Sequence, residues 1–200
     1  MDKFFNSTFD ALTNVVPGSC IIAILFSFDE GIQSLDNLID KLNTINLGSA
    51  AFLIFVSYVI GFALTPIGKF LYTRLGTKIW PLITTQDSSD LSITEKFVLV
   101  REFSPSNFKY IEAWNMFCNL AHSLAVGALF MIIGCLYRIF WMGSHPKLFG
   151  VIGVVALVFF FVFLHRAIVF RSWALNDLNA SVDKLALPKY RKQEGRTVSQ

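Results

Sequence analysis

Charged residues are scarce in this chain and are missing altogether from three long stretches. They make up 16% of the 200 residues, whereas hydrophobic residues make up 54% and Phe alone occurs 21 times. No charge occurs in residues 48–68, 118–137 or 148–164, which are runs of 21, 20 and 17 residues. A soluble domain would have little polar surface left to cover such a core, whereas about 20 helical residues cross the hydrocarbon core of a bilayer. The sequence therefore predicts an integral membrane protein.

Catalytic and ligand-binding motifs are also missing from the sequence. No Gly-x-Ser-x-Gly, His-Glu-x-x-His, Walker or Rossmann pattern occurs. Cys20, Cys118 and Cys135 are scattered, and the three histidines have no ligand spacing to one another, which argues against a metal site and against a disulfide framework. We therefore expect no catalytic residues, no metal, no cofactor and no direct binding of nucleic acid.

Four apolar segments predict four membrane spans, at about residues 11–28, 47–66, 117–137 and 147–170. The first segment is short, and Pro17 near its beginning leaves open a helix start near Val16. A signal peptide is the alternative, although residues 27–29 (Ser-Phe-Asp) make a poor cleavage site. Pro66 is expected to end the second span. The predicted fold class is an all-α polytopic membrane protein, with a four-helix bundle in residues 1–170 and cytoplasmic helical extensions.

The distribution of basic residues predicts the orientation of these spans. One Lys precedes the first span, six Lys and Arg lie in residues 69–109, and seven lie from residue 166 onward, so that 14 of the 17 fall on one side. Cytoplasmic segments carry the excess of Lys and Arg. Both termini and the long loop 69–113 are therefore predicted to be cytoplasmic.

The segments outside the spans carry helix signals of their own. Ser92 and Glu95 have the form of a capping box, and the Ser104-Pro105 break should be followed by a new helix near Asn107 that runs into the third span. A short helix is also expected in the outer loop 29–46. Residues 171–200 are predicted to form an amphipathic helix as far as Pro188 and then a basic tail.

An apolar stripe on that last helix consists of four residues at spacings of 3, 4 and 3: Leu175, Leu178, Val182 and Leu185. An apolar stripe left in water is costly. It could lie on the membrane surface, pack on the helix at 91–103, or dock a soluble partner. We consider these residues candidates for partner docking.

Small residues also occur four apart on the second span, at Ser57 and Gly61. This spacing favours close packing of the second span against another helix.

A polar stripe enters the third span from its cytoplasmic end. Glu112, Asn115, Asn119 and His122 share one face of a helix over nearly three turns. Polar groups in hydrocarbon need partners, so the stripe should face protein or water. It could be a hydrogen-bond contact between helices, the lining of a pore in an oligomer, or a catalytic pair of Glu112 and His122. The last is disfavoured because the two residues lie about 15 Å apart along a regular helix.

Several short motifs in the first three spans carry a resemblance. These are Val16-Pro17-Gly18, Tyr58-x-x-Gly61 with Gly68, and Glu112-Ala113 leading into Asn119-Leu120. Together they resemble small four-span bacterial membrane proteins found beside multi-gene defence systems; the Kiwa A component is similar in size and topology. The resemblance implies a protein of the bacterial inner membrane that works with a soluble partner.

The leading functional hypothesis is accordingly an oligomeric inner-membrane sensor or effector of an antiviral system that docks a soluble cytoplasmic protein. It is not expected to be an enzyme. A small oligomeric channel or transporter is the alternative, with the polar stripe as its path. A lipid-modifying enzyme is the second alternative.

Overall fold

The computed structural model describes residues 2–27, 40, 43–84, 91–143 and 146–185, and every secondary-structure element among them is helical. The elements are α1 (Asp2–Ser27), α2 (Leu47–Leu71), a π-helix (Tyr72–Gly76), α3 (Thr77–Ile79), α4 (Ile93–Phe103), α5 (Pro105–Phe140) and α6 (Pro146–Lys184). The predicted all-helical fold is thereby confirmed. The helix expected within residues 29–46 falls largely outside the described residues, and the basic tail falls entirely outside them.

Three helical segments are long and apolar enough to cross a membrane: the stretch Leu47–Ile79, α5 and α6. α1 adds a shorter apolar stretch, Ala11–Phe26. α5 and α6 contain 36 and 39 residues. At about 1.5 Å per residue they are about 54 and 58 Å long, whereas the hydrocarbon core of a bilayer is about 30 Å thick. Each of the two helices therefore has room for an apolar span and for a long extension beyond it.

α1 is one helix that continues through Pro17, so the helix start considered near Val16 is wrong. Proline lacks the N–H that would bond the preceding turn, and it usually kinks or ends a helix. Here Pro17 is buried, and the next residue, Gly18, lies directly against the backbone of Ser57 on α2. Contact with the neighbouring helix supports α1 at the point where its own hydrogen bonding is incomplete.

α1 and α2 pack against each other through two reciprocal glycine contacts. A Cβ added to Gly18 would overlap the carbonyl oxygen of Ser57, and a Cβ added to Gly61 would overlap the carbonyl oxygen of Asn14. The pairing 18 with 57 and 14 with 61 runs in opposite directions along the two helices, so they are antiparallel. Ser19 Oγ lies 3.3 Å from Ser57 Oγ across the same contact. The close helix packing predicted from the spacing of Ser57 and Gly61 is confirmed.

The prediction that the second apolar helix ends at Pro66 is wrong. α2 continues through Pro66 to Leu71 and is followed without interruption by the π-helix and α3, as far as Ile79. The buried face of this stretch repeats every four residues, at Gly68, Tyr72 and Gly76. A spacing of four drifts around an α-helix of 3.6 residues per turn. The π-helix, with its i to i+5 hydrogen bonds, has more residues per turn and offsets that rotation. Residues 68, 72 and 76 therefore stay on the side of the helix that packs on its neighbours.

α5 and α6 form the longest helical hairpin and carry the principal core. They are joined at residues 141–145 and make the most extensive contact between any two described helices. α1 and α2 pack against α5. The buried side chains of this core come from the π-helix, α5 and α6: Tyr72, Cys118, Ala121, Ala125, Phe160, Leu164, Ala167 and Ile168.

A second, smaller core lies where α4 packs beside the start of α5 and the end of α6; we call these three segments the head. α4 begins as predicted at a capping box, in which Ser92 Oγ accepts from the Glu95 N–H and the Glu95 carboxylate accepts from the Ser92 N–H. α5 begins at Pro105, two residues before the predicted position. The first turn of a helix is a favourable place for proline. The buried apolar residues of the head are Val100, Ile111, Ala174, Leu178 and Val182.

Candidate functional site

The polar stripe lies on α5 at the level where the head meets the apolar bundle, but its four residues do not share one environment. Asn115 is half-buried and contacts α6, whereas His122 is 2% exposed and packs beneath α2. Glu112 is half-buried, and Asn119 is exposed on the surface of the single chain. The stripe therefore faces α6 at Asn115 and α2 at His122, and it does not line a channel within one chain.

Arg171 on α6 is the interhelical partner of Asn115. Its Nη1 donates to Asn115 Oδ1 at 2.8 Å, while Asn115 Nδ2 donates to the carbonyl of Ile111 at 3.0 Å on its own helix. A hydrogen bond that involves a charged group is among the stronger ones in proteins. This contact ties α5 to α6 at the boundary between the bundle and the head.

His122 is enclosed by the π-helix region and by its own helix. Its Nε2 lies 3.2 Å from Asn119 Oδ1, and its ring stacks on Tyr72 with 6.3 Å between centroids. Because Oδ1 can only accept, this hydrogen bond assigns the ring proton to Nε2. Nδ1 then carries the lone pair, is buried without a hydrogen-bond partner among the described residues, and faces Gly68. The histidine is thus held in one orientation by packing.

Glu112 and His122 do not contact each other in the structure. Glu112 makes no hydrogen bond or ion pair to any described residue, and His122 bonds to Asn119 instead. Ten residues of helix separate them, which is about 15 Å along the axis. Among the described residues, no three His, Cys, Asp or Glu side chains are grouped as metal ligands would be. The geometry supports positioning and packing roles for the stripe.

An aromatic cluster surrounds the same boundary between bundle and head. The indole Nε1 of Trp114 donates to Asp177 Oδ2 at 2.9 Å, which adds a second polar contact between α5 and α6. The ring pairs in the cluster are stacked, tilted or edge to face, with centroids 4.9 to 6.1 Å apart. Such pairs add to the stability that burial provides. Its members are Trp114, Phe117, Phe170 and Trp173.

The apolar stripe at the end of α6 packs inside the head, which corrects the interpretation of this stripe as an open docking surface. Leu178 is 0% and Val182 is 1% exposed, and both contact α4 and α5 through Val100 and Ile111. Leu175 and Leu185 are half-buried. Packing on α4 and α5 removes these apolar side chains from water, which is favourable without any partner protein. Leu178 and Val182 are therefore not available on the surface of the single chain.

Two buried cations and the half-buried Arg171 were not identified in the sequence as structural residues. Arg171 is described above. Lys96 is 1% exposed and donates to Asn179 Oδ1 at 2.8 Å, and Arg138 is 2% exposed with its guanidinium 4.9 Å from the Phe149 ring centre. Lys96 directly precedes the apolar run 97–100 and lies one helical turn before the buried Val100, a spacing that places it on the inward face. Arg138 lies in the last turn of α5, where a cation favours the helix dipole.

No protein-family model, no curated protein and no solved structure matches this chain. The functional argument therefore rests on the residues and on the geometry described above.

Proposed function

We propose that the chain is a four-span protein of the bacterial inner membrane with both termini in the cytoplasm. It acts as an oligomeric sensor or effector that couples the membrane to a soluble cytoplasmic partner, as a component of an antiviral, anti-phage system. The observation that carries this proposal is the continuity of α5 and α6, each of which runs unbroken from the apolar bundle into the head. The defence role rests on the resemblance of the motifs in the first three apolar segments.

The joint between bundle and head supports a coupling role. The bond from Arg171 to Asn115 and the bond from Trp114 to Asp177 lie where the two long helices leave the bundle. A change in the packing of α5 against α6 at membrane depth must therefore displace the head, because no flexible linker separates the two parts. Coupling between sites is carried by such rigid packed elements.

Oligomerisation is supported by the position of Asn119. This residue is exposed on the single chain, although it lies within the uncharged residues 113–137 of α5. Its Oδ1 is engaged with His122, and its amide nitrogen has no partner among the described residues. An amide nitrogen at the edge of the hydrocarbon is costly unless a protein group covers it. A neighbouring copy of the chain would supply that cover.

The docking of a partner is assigned to the outer surface of the head. Val98 and Phe103 on α4 are 47% and 56% exposed, and Tyr110 at the start of α5 is 66% exposed. Exposed aromatic and aliphatic side chains of this kind are enriched at protein interfaces. They replace the buried stripe of α6 as the candidate contact residues.

Affinity purification from the native membrane in mild detergent tests this proposal. The wild-type chain should bring down a stoichiometric soluble protein, and the double substitution Val98→Asp and Phe103→Asp should abolish that recovery while the chain keeps its oligomer size. The isosteric substitution Val98→Thr with Phe103 retained is the matched control and should keep the partner. Absence of a partner, combined with ion flux through the purified protein in liposomes, would favour the channel alternative.

A further inference from the structure

Four exposed cations lie at or after the ends of two uncharged runs. Lys69 is the first charged residue after the run 48–68, and Arg166 follows the run 148–164 by two residues. Arg74 on the π-helix and Lys78 on α3 continue the series, and all four side chains are exposed. None of them makes an ion pair with a described residue. We call these four residues the basic cluster.

Contacts of the π-helix and of Trp80 with α6 place Lys78 and Arg166 at the same level of the bundle. Gly76 lies against Leu164 and Ile168, since an added Cβ would be 3.2 to 3.4 Å from their side chains. The Trp80 ring lies 5.2 Å from the ring of His165. Lys78 stands between Gly76 and Trp80 in the sequence, so it is held at the level of α6 where Arg166 lies.

The elements that carry the cluster contain no acidic residue nearby. Residues 47–84 and 146–176 include no Asp or Glu. The nearest acidic residue along α6 is Asp177, eleven residues beyond Arg166 and about 16 Å along the helix axis. Asp177 already accepts the indole hydrogen bond of Trp114, and Glu112 lies two residues before that tryptophan. No described acidic residue therefore neutralises the positive charge of the cluster.

The surroundings of the cluster fit the boundary of a bilayer better than a protein interface in water. Ile67, Phe70 and Ile79 alternate with the cations and are 46%, 62% and 44% exposed. The Arg74 guanidinium lies 5.9 Å from the Phe70 ring centre, which holds the charge beside an apolar surface. Cations interleaved with exposed apolar side chains, with a tryptophan at the same level, are typical of the headgroup region.

We infer that the basic cluster binds anionic phospholipid headgroups at the cytoplasmic face of the membrane, with the lysines and arginines contacting the lipid phosphates. This inference rests on the membrane placement proposed above. Lys and Arg side chains near an anionic lipid surface are attracted to it electrostatically. The bound lipid would join α3 to α6 beside the joint between bundle and head, so lipid composition would affect the stability of that joint.

Thermal unfolding of the purified protein in a neutral detergent tests the inference. Added phosphatidylglycerol should raise the unfolding midpoint more than the same amount of phosphatidylcholine, by at least about 2 to 4 °C, and the difference should shrink in high salt. The variant with Lys69, Arg74, Lys78 and Arg166 changed to Gln should lose most of that difference. Glycerol phosphate without acyl chains should not replace the lipid.

A matched control carries four exposed cations from elsewhere in the chain changed to Gln: Arg101, Lys109, Lys147 and Lys184. It should keep the preference for phosphatidylglycerol, and an equal loss in this variant would overturn the assignment to the basic cluster. If the cluster variant does not fold, lipid analysis of the wild-type protein decides, because its retained lipids should be enriched in anionic species. Equal effects of the two lipids on wild type, or retained lipids without that enrichment, would refute the inference. Release of the chain from membranes by alkaline carbonate would instead refute the membrane placement.

Discussion

The imidazole of His122 lies directly against the backbone of Gly68, and a Cβ at that glycine would fall 2.5 Å from Nδ1. The same Cβ would lie 2.8 Å from the carbonyl oxygen of His122, so the helices themselves are in contact at this point. A backbone atom cannot rotate away as a side chain can. Glycine at position 68 is therefore what allows α2 to pack on α5 over the polar stripe.

The substitution Gly68→Ala should destabilise the protein by about 1 to 3 kcal/mol, because the added methyl group forces α2 away from α5. Gly150→Ala on α6 is the matched control, since nothing lies within 4 Å of a Cβ at that position. Unfolding midpoints in detergent measure both effects. Truncating His122 to Ala in the Gly68→Ala background should restore only part of the loss, since the backbone contact remains. Equal midpoints for the two alanine variants would show that the helices do not approach here.

The hydrogen bond between Arg171 and Asn115 should show as a coupling energy in a double-mutant cycle. Asn115→Leu and Arg171→Met each remove one partner, and the coupling between them should be about 0.6 to 3 kcal/mol, because one partner is charged and half-buried. Unfolding free energies of the wild type, both single variants and the double variant give this value. Additive effects would mean that the two side chains do not interact in the folded protein.

Leu178 should behave as a core residue of the head. Leu178→Ala should cost about 2 to 5 kcal/mol because it leaves a cavity among α4, α5 and α6. Val98→Ala on the exposed face of α4 should stay within about 0.5 kcal/mol of the wild type. Limited proteolysis of the head reports the difference as faster cleavage of the Leu178 variant. Equal resistance of the head in both variants would mean that Leu178 is not a core residue, and it would again be a candidate for partner docking.

Asn119 is expected to act between copies of the chain. Asn119→Leu should reduce the stability of the oligomer by about 0.6 to 2 kcal/mol for each interchain hydrogen bond lost, and light scattering in detergent over a range of protein concentrations measures the dissociation. Asn115→Leu is a suitable comparison, since Asn115 bonds within the chain and its loss should leave the oligomer size unchanged. Unchanged oligomer stability in the Asn119 variant would mean that Asn119 does not lie in the interface between copies.

Sequence patterns predicted the helices well wherever the signal was local. The capping box at Ser92 and the break before Pro105 depend on residues within one turn, and both mark helix ends in the structure. Pro66 was a misleading local signal because packing of Gly68, Tyr72 and Gly76 on other helices carries the chain past it. A proline inside a helix costs a limited free energy. The packing contacts of this stretch stabilise the helix by more than that cost.

The candidate site was predicted only in part, for a related reason. The spacing of the polar stripe identified the face of α5, but it could not show that Asn115 turns to Arg171 and His122 to Gly68, since those partners are far away in sequence. The stripe through Leu178 and Val182 was visible as apolar periodicity. Whether such a stripe meets the same chain, a lipid surface or another protein depends on tertiary packing that periodicity does not encode.

The membrane topology is the central claim, and the reactivity of single cysteines with an impermeant thiol reagent tests it most directly. In a background without the three native cysteines, one cysteine is placed at Trp141, which is 81% exposed in the turn between α5 and α6, and another at Arg101, which is exposed on α4. In cells with a permeabilised outer membrane and an intact inner membrane, Trp141→Cys should be labelled and Arg101→Cys protected until the inner membrane is opened. Labelling of Arg101→Cys with protection of Trp141→Cys would invert the orientation, and labelling of both only in a soluble fraction would contradict the account altogether.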